Sequence, residues 1–351
     1  MRAYEIYKRL RDRHEITLLC TKYPGAKDGD IEGLRHLFVG TESKSLAKSV
    51  FAYTIQAMKF VRHYGDDFDI IVENFLPSTP FFSAFFTRTP VILQVQGIME
   101  EHSFKKFHPF YSIPMHMVER CYPRLYDHFI FVSPVTRAKV MARLEGKKMR
   151  QSEVIPNGIN EELLRAVPGD GGYILFFSRI DIYTKGLDIL VEAFTRIASE
   201  YPGIRLVLAG YEFDRIEALT AGLPPSLRER IEYAGFVTGE KKRRLLSRAT
   251  FVVLPSRHES SPISILEAAA CGKPVIVSDI PELDFVMKEG FGIVFPSGSV
   301  EGLAEKIRTL MDHEEKREVM GGKGREFAGR YLWDRIAKEF EGVLNLARKK
   351  S

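Results

Sequence analysis

Residues 250–278 read TFVVLPSRHESSPISILEAAACGKPVIVS, a pattern that predicts a strand, a loop, a helix, a turn and a second strand. The runs that open and close this stretch are apolar, as in parallel strands buried on both faces. Between them Ser261 is placed to cap the helix, Pro262 suits its first position, and Gly272 is placed to end it in a left-handed conformation. A helix that begins just after a strand is a typical phosphate site of α/β proteins.

Two glutamates lie at a fixed spacing in this unit. Glu259 precedes the helix, and Glu267 lies eight residues later, inside it. At 3.6 residues per turn, both can face one ligand. Apolar neighbours such as Ile265 and Leu266 predict that the helix is largely buried, and a buried carboxylate needs a partner. We therefore favour a ligand-binding pair. The alternative is that Glu267 is solvated and that Glu259 interacts only with the positive end of the helix dipole.

The stretch is similar to the E-x7-E motif of the retaining glycosyltransferases of family 4. Further similarity lies in S-R-I-D-I-Y-T-K-G at 178–186, P-N-G-I at 156–159 and G-F-V at 235–237. The first of these departs from the family pattern G-R-x-x-x-x-K-G at Ser178 and by one extra residue before Lys185. The resemblance spans nearly the whole chain. It implies an α/β protein of the GT-B fold, with two Rossmann-like, doubly wound domains that face each other across a cleft.

The residues of the loop at 178–186 indicate how a leaving group could be stabilised. Arg179 and Lys185 can both reach one anion, and two cations beside a helix N-terminus can stabilise a departing diphosphate without a metal ion. No D-x-D pair suited to a metal stands out, so we expect no metal and no cofactor. A nucleotide-diphosphate sugar would be the co-substrate. The plain alternative is a pair of solvated side chains on a loop.

The family resemblance implies roles for further residues. Arg179, Lys185 and Glu259 would be the catalytic residues, and Glu267 would bind the ribose. The other implied donor-binding residues are Ser260, Ser261, Pro262, Ile263, Phe236, Val237, Gln96, Gly97 and Asn157. Many relatives have a histidine where this chain has Gln96, which forms hydrogen bonds but cannot transfer a proton. In the family the leaving phosphate is thought to receive the proton of the acceptor, so no protein base is required.

Other classes of function fit parts of the sequence pattern. A nicotinamide-dependent dehydrogenase would suit a doubly wound fold, but no G-x-G-x-x-G follows a strand. A nucleotide-sugar epimerase of the same architecture stays open, and so does an inactive homologue that binds sugar nucleotides. Arg179, Lys185, Glu259 and Glu267 argue against the inactive homologue, whereas Gln96 leaves it open.

Composition places the chain among globular proteins. Its 351 residues suit two domains, and 45% are apolar, enough for two cores. The net charge of +5 is too small to indicate nucleic acid as a partner. The amino terminus is charged, and no apolar run reaches the roughly 20 residues that span a bilayer, so we expect a cytoplasmic protein. The three cysteines are expected as buried thiols rather than as a disulfide or a zinc site.

The pattern of elements predicts four segments. We expect an acceptor-side Rossmann-like domain over 1–160, a linker over 161–172, a nucleotide-sugar-binding domain over 173–330, and a terminal helix over 331–351. By the resemblance, that helix crosses back to the first domain. The donor base, the sugar and the acceptor are not determined by these patterns, and the acceptor can be a glycan, a lipid-linked sugar or a small molecule.

Residues 100–126 are rich in Phe, Tyr, His and Lys. Such a composition fits contact with a membrane surface, or with an acceptor that has an apolar tail. It fits equally well a helix and loop that pack as a lid on their own domain. Peripheral association with the inner face of a membrane is therefore one of two interpretations.

The order of the first elements is unusual, because a helix precedes the first strand, whereas doubly wound domains begin with a strand. Relatives open with a strand and a turn that usually carries two glycines. We therefore expect a strand and a glycine-containing turn before Arg2 in the natural protein. Without that strand, the strand at 15–20 and a strand of the 68–95 region would face each other across a gap.

Overall fold

A computed structural model of the protein describes residues 2–43, 45–106, 108–144, 146–147, 149–211 and 214–349. The strands are β1 (Thr17–Thr21), β2 (Gly29–Ile31), β3 (Leu34–Val39), β4 (Ile71–Phe75), β5 (Val91–Val95), β6 (His128–Phe131), β7 (Gln151–Val154), β8 (Tyr173–Phe177), β9 (Arg205–Ala209), β10 (Ile231–Gly235), β11 (Phe251–Leu254), β12 (Val275–Ser278) and β13 (Gly292–Phe295).

The α-helices are α1 (Arg2–Leu10), α2 (Leu46–Tyr64), α3 (His102–Lys106), α4 (Pro109–Cys121), α5 (Pro134–Arg143), α6 (Ile182–Lys185), α7 (Leu187–Ile197), α8 (Glu217–Thr220), α9 (Pro225–Arg228), α10 (Gly239–Arg248), α11 (Ile263–Ala270), α12 (Asp284–Lys288), α13 (Val300–Asp312), α14 (Glu314–Gly329) and α15 (Trp333–Lys349). Short 3-10 helices lie at Gly65–Asp67, Ser83–Phe85, Tyr122–Leu125, Glu161–Leu163 and Pro281–Leu283.

The chain divides into two compact units. The first unit contains the residues up to Asn157 together with those from Trp333 onward, and the second runs from Gly158 to Leu332. Residues 161–172, expected as a linker, therefore belong to the second unit. Their sequence has the Pro, Gly and acidic content of a linker, yet Leu163 is buried in the core of that unit. Burial of this apolar side chain overrides the local composition.

The second unit is built on one sheet of six parallel strands in the order β10-β9-β8-β11-β12-β13. This is the doubly wound order, with the first and fourth strands of the unit side by side at its centre. Strands β11 and β12 are buried along their whole length, as their apolar runs predict. The core of the unit also takes in the inner sides of α7, α11 and α13.

Helix α11 differs at its start from the prediction. It begins at Ile263, and Pro262 occupies the N-cap position with extended backbone and no side-chain cap. The prediction that Ser261 is the cap and Pro262 the first helical residue was therefore wrong by one position. The fixed φ of proline fits an extended N-cap residue as well as the first residue of a helix. The end is as predicted, with Gly272 at a φ of +70°.

The first unit contains two separate sheets. Strands β4, β5, β6 and β7 form a parallel sheet in that order, whereas β1 pairs with β3 in parallel and β3 pairs with β2 in antiparallel orientation. Among the described residues, β1 and β4 thus lie in different sheets. The expectation of a further strand before Arg2 stays a prediction.

Helix α15 belongs to the first unit and packs on α1. The rings of Tyr7 and Phe340 meet edge to face with centroids 5.9 Å apart, and Arg9 forms an ion pair with Asp334 at 2.5 Å. His14 Nε2 lies 2.7 Å from Glu341 Oε1. The terminal helix therefore completes the core of the unit in which the chain begins.

The cysteines are less uniform than expected. Cys271 is buried, Cys20 is half-buried and Cys121 is exposed. The prediction of buried thiols was wrong for Cys121, because α4 turns this side of the helix outward. In the described part of the chain, no helix has the length and apolar character needed to cross a bilayer.

Gly186 joins α6 to α7, and its backbone position requires glycine. Its φ is +67°, and a Cβ atom there would lie 2.0 Å from the carbonyl oxygen of Pro255. We expect Gly186→Ala to lower the melting temperature by roughly 5 °C or more, because both the backbone conformation and the contact become unfavourable. Differential scanning calorimetry checks this.

The matched control is Gly203→Ala, since a Cβ at Gly203 would have no atom within 4 Å. Equal melting temperatures for the two variants would show that the close contact between Gly186 and Pro255 is unimportant.

Candidate functional site

The site lies where the strand order of the second unit reverses. Strands β8 and β11 are neighbours at the centre of the sheet, and β8 continues to β9 on one side while β11 continues to β12 on the other. The loops that leave the carboxyl ends of these two strands, at 178–186 and 255–262, therefore lie at the point where the strand order reverses. Ligands of doubly wound sheets bind at this point.

Asp181 orders the first of these loops. Its side chain is buried, and its Oδ1 atom accepts a hydrogen bond of 3.0 Å from the backbone N–H of Thr184, so that it caps α6. Its Oδ2 atom lies 2.9 Å from a guanidinium nitrogen of Arg179. The side chain of Arg179 is 47% exposed and is thus held at the surface by a buried carboxylate. The polar loop predicted here contains a short helix, because Asp181 supplies the cap.

Lys185 and Glu259 form a buried ion pair between the two loops. The Nζ atom of Lys185 lies 2.6 Å from the Oε1 atom of Glu259, and their side chains are 13% and 5% exposed. The hydroxyl of Ser256 donates to the same oxygen at 2.7 Å. An ammonium group has three N–H donors, so the bond to Glu259 uses only part of the capacity of Lys185. The structure thus brings together two of the three residues predicted to be catalytic.

Arg257 fastens the second loop to the first. Its guanidinium forms two hydrogen bonds with the Asp188 carboxylate, at 2.8 and 2.7 Å, and a third with the carbonyl of Tyr183 at 2.9 Å. Its backbone N–H donates to the carbonyl of Thr184 at 3.0 Å. The hydrogen bonds to Asp188 raise the pKa of Arg257 above its usual range. This clamp fixes the loop two residues before Glu259.

Glu267 lies in the second turn of α11 and pairs with a different lysine. The Nζ atom of Lys242, from α10, lies 2.6 Å from its Oε1 atom, and both side chains are largely buried. Burial, with Glu267 as an additional negative neighbour, raises the pKa of the Cys271 thiol to about 12. Each glutamate of the E-x7-E pattern is therefore neutralised by a lysine from another element.

The other predicted residues of the second unit lie at the same edge of the sheet, in the loop before α11 or after β10. Phe236 is 69% exposed, whereas its neighbour Val237 is buried. Ser260, Ser261, Pro262 and Ile263 are half-buried at the start of α11. The first N–H groups of an α-helix have no partner within the helix, so this end of α11 is suited to an anion.

The remaining predicted residues, Gln96, Gly97 and Asn157, belong to the first unit. Gln96 is exposed just beyond β5, and its Nε2 atom donates to Asn74 Oδ1 at 2.9 Å. Gly97 is half-buried, and Asn157 is buried beside Arg2 at 3.2 Å. They lie after strands β5 and β7, at the carboxyl edge of the parallel sheet of this unit.

The sequence patterns missed Asp181, Ser256 and Lys242. Asp181 could have been found, because an aspartate just before the start of a helix is a typical N-cap residue. Lys242 could not, since it comes from a run of four cations, K-K-R-R, and only the fold shows which of them turns inward. Among the described residues, no group of three or more His, Cys, Asp or Glu side chains is arranged to hold a metal ion.

Comparison with known proteins gives matches to two family models. Residues 1–163 match the model described as Glycosyltransferase Family 4, and residues 165–327 match the model described as Glycosyl transferases group 1. A phosphatidyl-myo-inositol mannosyltransferase of Mycobacterium leprae is 28% identical over 198 residues, which are 54% of this chain and 52% of the relative. The chain spans about half the length of the curated relatives it matches.

Similar solved structures cover nearly the whole chain. Sucrose-phosphate synthase from Thermosynechococcus elongatus superposes with a TM-score of 0.80 at 20% identity, over 99% of this chain and 93% of that one. HepE from Anabaena, solved with UDP and glucose, gives a TM-score of 0.74 at 17% identity, over 98% and 94% of the two chains. The fold of the present chain is GT-B.

Lys242 offers a test of the pairing around Glu267. We expect Lys242→Met to lower the free energy of unfolding by about 3–5 kcal/mol, because the Glu267 carboxylate would be left buried without a partner. Urea unfolding followed by circular dichroism measures the change. Lys241→Met is the control, since Lys241 is exposed on the same helix. The double variant Lys242→Met/Glu267→Gln should recover most of the loss. A single variant as stable as the control would contradict the buried pair.

Proposed function

Because this chain belongs to the glycosyltransferases of family 4, we propose that it is a retaining, metal-independent glycosyltransferase. Its donor would be a nucleotide-diphosphate sugar, and its acceptor a glycan, a lipid-linked sugar or a small molecule. The observation that carries this proposal is the pair of buried carboxylates, Glu259 and Glu267, each neutralised by a lysine at the reversal point of the sheet.

The geometry of the second unit supports this donor class. Two cations, Arg179 and Lys185, follow β8, and the N-terminus of α11 follows β11 at the same edge. A diphosphate between them would receive hydrogen bonds from cations and from backbone N–H groups. Glu267 can accept hydrogen bonds from a pair of ribose hydroxyls. Phe236, exposed after β10, would offer a ring face to a base.

The proposed reaction needs stabilisation of the leaving group more than proton abstraction. The bond between the anomeric carbon and the diphosphate oxygen breaks, and a bond from that carbon to an acceptor oxygen forms on the same face. The proton of the acceptor hydroxyl passes to the departing diphosphate. Lys185 and Arg179 would stabilise the negative charge that develops there. Glu259 would hold Lys185 in place and accept hydrogen bonds from hydroxyls of the transferred sugar.

A screen of nucleotide sugars is the direct test of the donor class. Binding of a donor to the folded state raises the melting temperature by mass action, so thermal shift can rank UDP, GDP and other nucleotide sugars. UDP sugars come first, because a structural neighbour was solved with UDP and glucose. Chromatography then separates transfer or hydrolysis of the donor from its epimerisation, which would indicate the epimerase alternative. A screen without any stabilising donor would contradict the proposal.

Lys185 allows catalysis to be separated from stability. We expect Lys185→Ala to lower turnover roughly a hundredfold or more, because a donor aimed at developing charge is lost. It should also destabilise the fold, because Glu259 is left unpaired. The double variant Lys185→Ala/Glu259→Gln should regain the melting temperature but not the turnover. Steady-state kinetics at saturating donor measures this, with Lys288→Ala as an exposed control. Full activity of the double variant would refute the role of Lys185.

Part of the proposed function is association with a membrane surface through α4. This helix reverses the usual pattern of an amphipathic helix. Its outer side carries Phe110, Ile113 and Met117, of which Phe110 and Met117 are 74% and 62% exposed. Its inner side carries the buried polar residues Ser112 and Glu119. The spacing of three and four residues places the three apolar side chains in one stripe.

Charge around this stripe favours an anionic lipid surface. Lys105, Arg120 and Arg124 are exposed near the two ends of α4. The helix itself is anchored from within, because Glu119 accepts hydrogen bonds from the backbone N–H groups of Met99 and Glu100. An outward apolar stripe flanked by cations is the pattern of helices that lie in the membrane interface. A lipid-linked acceptor would agree with such a surface, and one relative is named as a phosphatidyl-myo-inositol mannosyltransferase.

Vesicle binding tests the α4 surface. We expect the protein to sediment with vesicles of phosphatidylglycerol and phosphatidylcholine at low salt and less at high salt. Phe110→Ser/Met117→Ser should weaken binding about tenfold or more, because two apolar side chains no longer enter the interface. Phe51→Ser is the control, since Phe51 is equally exposed on α2. If both variants bound vesicles as the unaltered protein does, the membrane role of α4 would be refuted, and the helix would serve only as a lid on its own unit.

A further inference from the structure

The first unit contains a buried cation whose surroundings are neutral. Arg2 is 4% exposed, and every acceptor that the described residues offer it is an uncharged oxygen. These are Gln94 Oε1 at 3.2 Å, Asn157 Oδ1 at 3.2 Å, and the carbonyls of Ile155 and Pro156 at 2.8 and 2.7 Å. Burial lowers the pKa of Arg2 to about 10, so the group remains a cation at neutral pH. A guanidinium can only donate hydrogen bonds.

This donor-only group determines the orientation of the amides next to it. Because Gln94 turns its Oε1 atom to Arg2, its Nε2 atom faces the other way and donates to Oδ1 of Asn74. Asn74 and Gln94 are register partners on the adjacent parallel strands β4 and β5, so their side chains share one face of the sheet. The oxygen of Asn74 must therefore point towards Gln94, since two amide nitrogens cannot bond to each other.

The same oxygen then determines the orientation of Gln96. Gln96 lies two residues beyond Gln94 and on the same face, and its side-chain amide is 2.9 Å from Asn74 Oδ1. Only the Nε2 group of Gln96 can donate to that oxygen. Its Oε1 atom is consequently directed away from the network, and the residue is exposed. Each step follows from the inability of Arg2 to accept a hydrogen bond, so Arg2 determines the orientation of all three side-chain amides.

We infer that Asn74 and Arg2 are positioning residues that hold Gln96 as a hydrogen-bond acceptor for a sugar hydroxyl. An amide free to rotate could serve either a donor or an acceptor. The network removes that choice, so Gln96 favours a group with an O–H and disfavours a phosphate or carboxylate oxygen. The identity of the ligand group as a sugar hydroxyl rests on the proposed function, whereas the orientation of Gln96 rests on the structure of the first unit alone.

The orientation can be tested without substrate. The chain has only four glutamines, at positions 56, 94, 96 and 151, so protein labelled with ¹⁵N in the glutamine side chains gives four pairs of amide signals. Gln96→Met assigns the pair of interest. We expect Asn74→Leu to speed the solvent exchange of this pair and move it towards the signal of a free amide. Asn74→Asp should leave it protected, because a carboxylate oxygen still accepts from both glutamines. Unchanged Gln96 signals in Asn74→Leu would overturn the network.

The ligand contact is tested by kinetics with the best donor from the screen. We expect Asn74→Leu to raise a KM about fivefold to tenfold, as expected for one lost hydrogen bond, with little change in kcat. Asn74→Asp should stay within about twofold of the unaltered protein. In the Gln96→Met background, Asn74→Leu should have no further effect, because Asn74 acts through Gln96. Asn345→Leu is the control, since Asn345 is exposed on α15.

Two assays separate the sources of the hydroxyl. Donor hydrolysis in the absence of acceptor reports a hydroxyl of the transferred sugar, and the acceptor KM in the transfer assay reports a hydroxyl of the acceptor. If neither KM changed in a variant whose Gln96 signals had changed, the hydroxyl contact would be refuted. A protein that neither hydrolyses nor transfers any nucleotide sugar would refute the proposed function, and the amide signals would still decide the orientation of Gln96.

Discussion

A contact between two backbones sets the geometry of the second unit. The carbonyl oxygen of Pro255, the residue after β11, occupies the space that a Cβ atom on residue 186 would need. This contact brings the end of α6 against the loop that follows β11, and it places the ammonium of Lys185 beside the carboxylate of Glu259. Only glycine meets both requirements, a left-handed conformation and the absence of a Cβ atom.

The charges at this edge of the sheet are matched locally. Glu259 pairs with Lys185 and Glu267 with Lys242, so the second unit can bury two carboxylates without leaving a net charge inside. Such pairs contribute little net stability, because desolvation opposes the attraction between the charges. Their value lies in specificity, since each lysine fixes its glutamate and keeps further N–H donors for other oxygens. A site built in this way is ready for an anionic ligand before the ligand arrives.

The first unit uses polar groups differently. The hydrogen bonds that Arg2 donates to the described residues all go to uncharged oxygens. From Gln94 the hydrogen bonds continue through Asn74 to the exposed Gln96. On α4 the polar residues Ser112 and Glu119 are buried, whereas the apolar residues Phe110, Ile113 and Met117 are exposed. Both features break the ordinary rule that apolar groups lie inside and polar groups outside. Exceptions of this kind are expected where a protein meets a ligand or a partner.

The sequence by itself determined the strand–helix–strand unit at 250–278, the buried central strands and the left-handed end of α11, because apolar runs, glycine and helical spacing act through neighbours along the chain. It also indicated Arg179, Lys185, Glu259 and Glu267. The tertiary structure alone decided that Lys242 rather than Lys241 pairs with Glu267, that residues 161–172 join the second unit, and that Arg2 controls Gln96. These outcomes depend on contacts between distant segments, and local patterns carry no information about which distant side chain fills a given space.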